Sequence, residues 1–149
     1  MLQEQVKITG DVFITVYDEN HNVKETQDIT NLVVFTGKAH IASRVAGILT
    51  GEGALISHIG VGTGTTAPLP TDTTLGSALG SRSSATLTHI NGTNTINVTS
   101  SISGVTGQIT EIGMFNALTG GTMICRTTFV AISMLSTDSL GISWTITIN

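Results

Sequence analysis

Charged residues are scarce in this chain of 149 residues: they make up 11% of it, whereas about 25% is usual for soluble proteins. The ten acids and six bases are scattered, and no basic run could follow a phosphate backbone. Serine and threonine, 39 in all, supply the polar surface instead. A weakly charged surface has little self-repulsion. The composition therefore favours a protein that works packed against partners, and it disfavours one that binds nucleic acid.

Cysteine and long apolar runs are almost missing. The single cysteine, Cys125, lies in a strand pattern and is predicted to be a small buried apolar residue. The first residues, MLQEQVKITG, lack the basic start and apolar core of a secretion signal, which predicts synthesis in the cytoplasm. The longest apolar runs fall far short of the roughly 18 to 20 residues that span a bilayer. No membrane role is expected.

Catalytic and cofactor motifs are missing too. The sequence has no GxSxG around a serine, no HxH or HExxH among its four histidines, and no pair of acids that strand periodicity would bring together at the mouth of a sheet. The glycine-rich GVGTG at 60–64 runs into an Ala-Pro-Leu-Pro stretch rather than into a helix, so a tight turn is favoured over a phosphate-binding loop. We predict no catalytic residue, no cofactor and no metal, and hence no enzyme.

What the chain does contain is a series of alternating apolar and polar positions, typical of β-strands. Strands are predicted near 12–17, 23–28, 56–61, 85–90, 95–103, 109–115, 123–132 and 140–148. The first two flank the turn-forming residues 18–22 and predict a hairpin. The last strand alternates most regularly and is expected to be a central or near-central strand. One of its faces is expected to lie in the protein core: Leu140, Ile142, Trp144, Ile146 and Ile148.

One segment changes to helical spacing. Apolar residues recur at Ile41, Val45, Ile48 and Leu49, which predicts a helix at about 37–50 that packs this stripe on a sheet, with Thr36 as N-cap and Gly51 as stop. The predicted fold is a single domain over 1–149. It is mainly β, an antiparallel β-sandwich or flattened barrel with one short α-helix.

Glu111 lies among residues that look buried, in the apolar segment 109–115. A buried acid needs a partner of opposite charge. Arg82 and Arg126 are the candidates, and we expect a structural ion pair rather than a catalytic group.

Two segments lack an obvious core. The first is a possible N-terminal arm, residues 1–9, which Gly10 separates from the first strand and which could pair locally or reach a neighbour. The second is the loop around residues 63–72, which carries both prolines; such a loop usually persists because something orders it. We predict partner contacts from both segments, at Leu2, Val6, Ile8, Thr63, Thr65, Leu69 and Asp72.

Several landmarks occur in a fixed order: NLVV at 31–34, GK at 37–38, HIGVGTG at 58–64, DTTL at 72–75, Arg82, EIGMF at 111–115, and the terminal strand. Over about 29–149 this order resembles small structural proteins of tailed bacteriophages, of the capsid decoration or tail-fibre-like kind. It is also similar in layout to the N-terminal domain of tail-collar fibre proteins. The chain departs from the fibre pattern because it has no repetitive shaft, coiled coil or receptor-binding tip.

The resemblance implies a capsid decoration (cement) protein in the virion, made in the cytoplasm of a bacterial host. Its partners would be its own copies, as a trimer or dimer, and the major capsid protein. A tail or baseplate adaptor that binds tail proteins is the alternative. A soluble carbohydrate-binding or enzymatic domain is the rival class, although the aromatic content of 4% argues against a sugar-stacking groove.

Overall fold

The structure is a computed structural model and describes residues 3–149. It consists of eight strands and a single α-helix within that range. The elements in chain order are β1 (Ile8–Tyr17), β2 (Val23–Val33), α1 (Phe35–Val45), β3 (His58–Gly62), β4 (Ala78–His89), β5 (Thr95–Ser103), β6 (Gly107–Phe115), β7 (Met123–Met134) and β8 (Ser139–Ile148), with a 3₁₀ turn at Gly51–Gly53 before β3.

All strand pairs are antiparallel, and the strands close into a barrel in the order β1-β2-β7-β6-β3-β4-β5-β8. Two strands change their pairing partner along their length. β2 pairs with β1 as far as Asn31 and with β7 at Leu32 and Val33, and β4 passes from β3 to β5 between Ser84 and Ala85. The mainly β, antiparallel prediction is confirmed. The strands form one closed barrel rather than two separate sheets.

The core fills the barrel from alternate positions of the strands, as a pleated strand requires. The inward face of β8 is buried at Leu140, Ile142, Trp144 and Ile146, whereas Ile148 is half-buried at the strand end. β8 pairs with β1 on one side and β5 on the other, so the predicted central position is confirmed. Trp144 is fully buried and donates its Nε1–H to Asn31 Oδ1 at 2.8 Å.

Helix α1 is shorter than predicted. It begins after Val34, which makes no side-chain cap, and the predicted cap Thr36 instead donates its hydroxyl to the Met123 carbonyl at 2.6 Å. It ends where Gly47 takes a φ of +78°. There the N–H groups of Gly47 and Ile48 return to the Arg44 and Ser43 carbonyls, an arrangement that closes helices at glycine. The stop is therefore Gly47 and not Gly51.

The predicted packing of the helix is also wrong. Its buried residues are Gly37 and His40, and a Cβ at Gly37 would overlap the carbonyl oxygen of Ile124, so the helix backbone lies directly on β7. The apolar stripe does not pack on a sheet. Val45 is 86% exposed, and Ile48 and Leu49 are exposed as well. This leaves an aliphatic surface at one end of the barrel.

β1 begins at Ile8 and runs through Gly10, so the boundary of the predicted arm at residue 9 is wrong. Ile8 pairs with Ile148 of β8 and packs against the core. Gly10 does not separate two segments. It is glycine because a Cβ there would overlap the side chain of Asn31, the partner of Trp144.

Candidate functional site

The loop over residues 63–77, between β3 and β4, is held from inside by one side chain. The carboxylate of Glu111, on β6, accepts hydrogen bonds from the backbone N–H groups of Gly64 at 2.9 Å, Gly76 at 2.9 Å and Ser77 at 2.7 Å. Gly64 is near the start of the loop and the other two are at its end. Glu111 therefore closes the loop at its base.

Arg126, on the neighbouring strand β7, completes the cluster. It donates from Nε at 3.0 Å and from Nη2 at 2.8 Å to Glu111 Oε2, and from Nη1 to Asp72 Oδ2 at 2.9 Å. Its Nη2 also donates to the Thr66 carbonyl at 3.1 Å. Both Glu111 and Arg126 are buried. Of the two arginines considered, Arg126 makes the ion pair with Glu111.

The ionisation of Glu111 follows from its surroundings. Burial raises the pKa of this carboxyl, and the hydrogen bonds from Ser77, Gly76 and Arg126 lower it, so that the net pKa lies below the ordinary value of 4.5. The group is an anion at neutral pH and accepts five hydrogen bonds. Because those bonds occupy both oxygens, Glu111 is suited to holding the loop and not to transferring a proton.

Two of the three glycines of GVGTG, Gly62 and Gly64, lie against this carboxylate. A Cβ on Gly62 or on Gly64 would lie 2.5 Å from Glu111 Oε1. The segment therefore does cradle an anion, but the anion belongs to the chain itself. The sequence signal was present in two parts, a lone acid in an apolar strand and a glycine run with no ligand. The two have to be connected to find the site.

Arg82 lies elsewhere, and its interpretation as a partner of Glu111 is wrong. Its guanidinium stacks over the ring of Phe115 at 3.4 Å from the centroid. Its Nη1 donates to the carbonyls of Ala117 at 2.8 Å and Gly120 at 2.7 Å. Arg82 therefore anchors the β6–β7 loop. It also lines a cavity of about 530 Å³, together with Leu75 of the β3–β4 loop.

The residues predicted to contact partners fall into three groups. Leu2 lies outside the described residues. Ile8 is part of the barrel, and Asp72 is half-buried and bonded to Arg126 and to the Leu69 N–H, so both serve the fold itself. The remaining four are exposed: Val6, Thr63, Thr65 and Leu69.

No protein-family model, curated protein or solved structure matches the chain.

No group of three or more histidine, cysteine or acidic side chains within 3–149 is arranged to hold a metal ion. Burial raises the pKa of the Cys125 thiol to about 12, so it is not a thiolate at neutral pH and is unsuited as a nucleophile. Over the same range, no helix has the length and apolarity that a membrane crossing requires.

A second feature of the surface was not anticipated from the sequence. A pocket of about 370 Å³ opens at the end of the barrel, between α1 and the adjoining ends of β4, β5 and β8. Its walls are mainly aliphatic, with Arg44 of α1 at the lining. Two residues of the predicted apolar stripe, Ile41 and Val45, line it. The helical spacing was the available signal, but it was interpreted as packing within the chain.

Proposed function

We propose that the chain is a structural virion protein of a tailed bacteriophage, which decorates and stabilises the capsid shell by binding between capsid subunits. The ordered landmarks over about 29–149 and the weakly charged, hydroxyl-rich composition support this proposal. The structural observation that carries it is the β3–β4 loop. Glu111 and Arg126 fix its backbone from inside, while Thr65 and Leu69 remain exposed on its outer side.

A loop that is ordered before binding suits a contact surface. Fixing a flexible backbone costs about 1–2 kcal/mol per residue, and a loop already fixed by its own chain does not incur that cost when a partner docks. Leu69 is 53% exposed and presents an aliphatic side chain in a setting of threonines. Exposed apolar side chains on a rigid support are suited to anchor an interface.

A protein that binds the assembled shell but not its separate subunits stabilises the shell by mass action, because the subunits then separate only when the decorating contacts break too. The low charge of the chain limits the desolvation cost of docking. The same loop would serve a tail or baseplate adaptor, and the likeness in layout to tail-collar fibre proteins supports that second candidate.

The test is sedimentation with purified assemblies of the encoding phage. Protein is mixed separately with shells of the major capsid protein and with tails, and the bound fraction is measured after pelleting. We expect saturable binding to shells at a fixed ratio, weakened about tenfold by Leu69→Ser. Val130→Ser is the matched control because Val130, on β7, is 78% exposed and lies outside the loop.

Each other outcome is informative. Binding to tails alone supports the adaptor function and contradicts capsid decoration. Binding to neither assembly, with affinity for a glycan in a parallel screen, supports the carbohydrate-binding class. Equal binding by the Leu69→Ser and Val130→Ser variants would remove the loop from the interface.

A further inference from the structure

The pocket at the barrel end is apolar inside and basic at its lining. Ile56, Ile124 and Ile146 provide aliphatic walls from three parts of the chain. The charged and ionisable lining residues are Arg44, His40 and His89, and no aspartate or glutamate among residues 3–149 lines it. At about 370 Å³ it falls within the roughly 300–1,000 Å³ typical of binding pockets.

Several polar groups of the pocket are only partly used. Arg44 donates from Nη1 to the Gly53 carbonyl at 3.1 Å, which leaves its other N–H groups with no partner among residues 3–149. His40 is 4% exposed and uses Nδ1 on the Glu52 carbonyl at 2.6 Å, and its second ring nitrogen has no partner in that range. An occupant with an aliphatic part and a carboxylate would satisfy both the walls and the guanidinium.

The N-terminal segment carries that chemistry. Residues 3–6 are exposed and precede the barrel, and Val6 is 68% exposed. In an extended chain Glu4 and Val6 lie on the same side, because side chains alternate with a period of two. One face of the segment therefore pairs a carboxylate with an aliphatic group.

The segment leaves the barrel at the same end as the pocket. Lys7 and Asn149 exchange backbone hydrogen bonds of 2.9 and 2.7 Å. Asn149 directly follows Ile148, which lines the pocket. Within one chain Val6 stays exposed while the pocket stays open, so the segment does not fill the pocket of its own chain.

We infer that the pocket receives residues 3–6 of a second copy of the chain, with Glu4 against Arg44 and Val6 against the aliphatic walls. Two copies that meet end to end would exchange segments reciprocally around a two-fold axis, because segment and pocket lie at the same end. Four extended residues span up to about 14 Å. The exposed side chain of Val45, which lines the pocket, would be covered in the same contact. The inference rests on the proposed function for its setting, in which copies of the chain assemble.

Reversing the charges tests the exchange in the full-length protein. Glu4→Arg and Arg44→Glu each bring like charges together, and we expect each variant to self-associate at least about tenfold more weakly than the wild type by light scattering after size exclusion. An equimolar mixture of the two variants restores both opposite-charge contacts between chains. We expect that mixture to associate like the wild type.

Two outcomes would contradict the inference. A chain carrying both reversals that associates, while the mixture does not, places the contact within one chain. Single variants that associate like the wild type remove the contact altogether. Val6→Asp covers the case in which Arg44→Glu does not fold: Val6 is exposed, so this variant should stay folded yet lose association.

Dodecanoate, which has an aliphatic chain and a carboxylate, tests whether the pocket binds a small amphiphile instead of the segment of a second copy. A wild type that stays monomeric and binds dodecanoate with the same affinity as a chain lacking residues 1–6 has a pocket for a small amphiphile, which overturns the inference. The outcome is separable from that of the proposed function. Charge-dependent self-association without binding to shells supports the exchange and contradicts capsid decoration, and binding to shells with no self-association does the reverse.

Discussion

The base of the β3–β4 loop and the end of the barrel beside α1 differ in how far their side chains are paired within the chain. At the loop, polar groups are buried and matched within the chain: Glu111 accepts five hydrogen bonds, and Arg126 bonds to Glu111, Asp72 and Thr66. At the barrel end, aliphatic side chains are exposed around a pocket, and Arg44 is only partly bonded. In the first region the polar groups are paired within one chain, whereas the second leaves aliphatic side chains exposed and the Arg44 side chain with a single hydrogen bond among residues 3–149.

Because of this difference, the loop base should mainly affect folding stability, and the barrel end should mainly affect self-association. A buried ion pair contributes little net free energy when intact, yet removing one partner leaves a buried charge unmatched and is costly. An exposed aliphatic side chain has the reverse character: it hardly affects folding, but it gains free energy when a partner covers it. Substitutions in the two regions should therefore differ in both the size and the kind of their effects.

The largest effect on folding stability is expected in the barrel core. Trp144→Ala empties a fully buried site and removes the donor that bonds Asn31. It should lower the free energy of unfolding by about 3–5 kcal/mol in a urea titration. A loss below about 1 kcal/mol would show that the ring does not fill the core.

Glu111→Gln should come next, at about 3 kcal/mol. The amide keeps the shape of the side chain but removes the charge that matches Arg126. Hydrogen exchange should speed up at the amides of Gly64, Gly76 and Ser77, while the amides of β8 change only with global stability. The matched control is Thr65→Ala, in the same loop but exposed, which should leave both readings near those of the wild type.

A smaller effect is expected from pH. The folded-state pKa of Glu111 is lowered, so the stabilisation that it provides is complete above its unfolded value near 4.5 and is lost as the pH falls from there through the folded value. Asp18 and Asp138 also have lowered pKa values, from their hydrogen bonds with Asn22 and Lys24 respectively, and titrate in the same acid range. The contribution of Glu111 is therefore the difference between wild type and Glu111→Gln. That difference should shrink on acidification, and a constant difference from pH 7 to pH 3 would assign the pH dependence to other groups.

The sequence predicted the strands well, because apolar alternation is a local signal. The residues of β8 and the turn at 18–22 followed from such patterns, and in that turn Asp18 accepts the N–H groups of Asn20 and Asn22 while His21 takes a φ of +62°. Glu111 was recognised as a buried acid on the same local basis. Its true surroundings were not, because Gly64, Gly76 and Ser77 reach it only through the pairing of β3 with β6, in which Gly62 lies opposite Glu111.

The helix was predicted less well for a physical reason. An apolar stripe of period 3.6 predicts that a face will be covered, but it does not say whether the cover belongs to the same chain. Gly37 brings the backbone of α1 onto β7, and Val45 is left exposed. A glycine inside a helix lowers helix propensity, but here Gly37 lies on the buried face of α1.

The smallest effect on folding is expected at the barrel end, and it sharpens the contrast between the two regions. Val45 is 86% exposed, and valine and serine have similar helix propensities, so Val45→Ser should change the free energy of unfolding by less than about 0.5 kcal/mol. Val98→Ser is the matched control, since Val98 is fully buried in β5 and the same change there should cost at least about 1 kcal/mol. Self-association should respond in the opposite order, falling for Val45→Ser because the stripe borders the pocket. A Val45→Ser variant that unfolds as easily as Val98→Ser would mean that α1 packs its stripe within the chain, and the barrel end would then be complete like the loop.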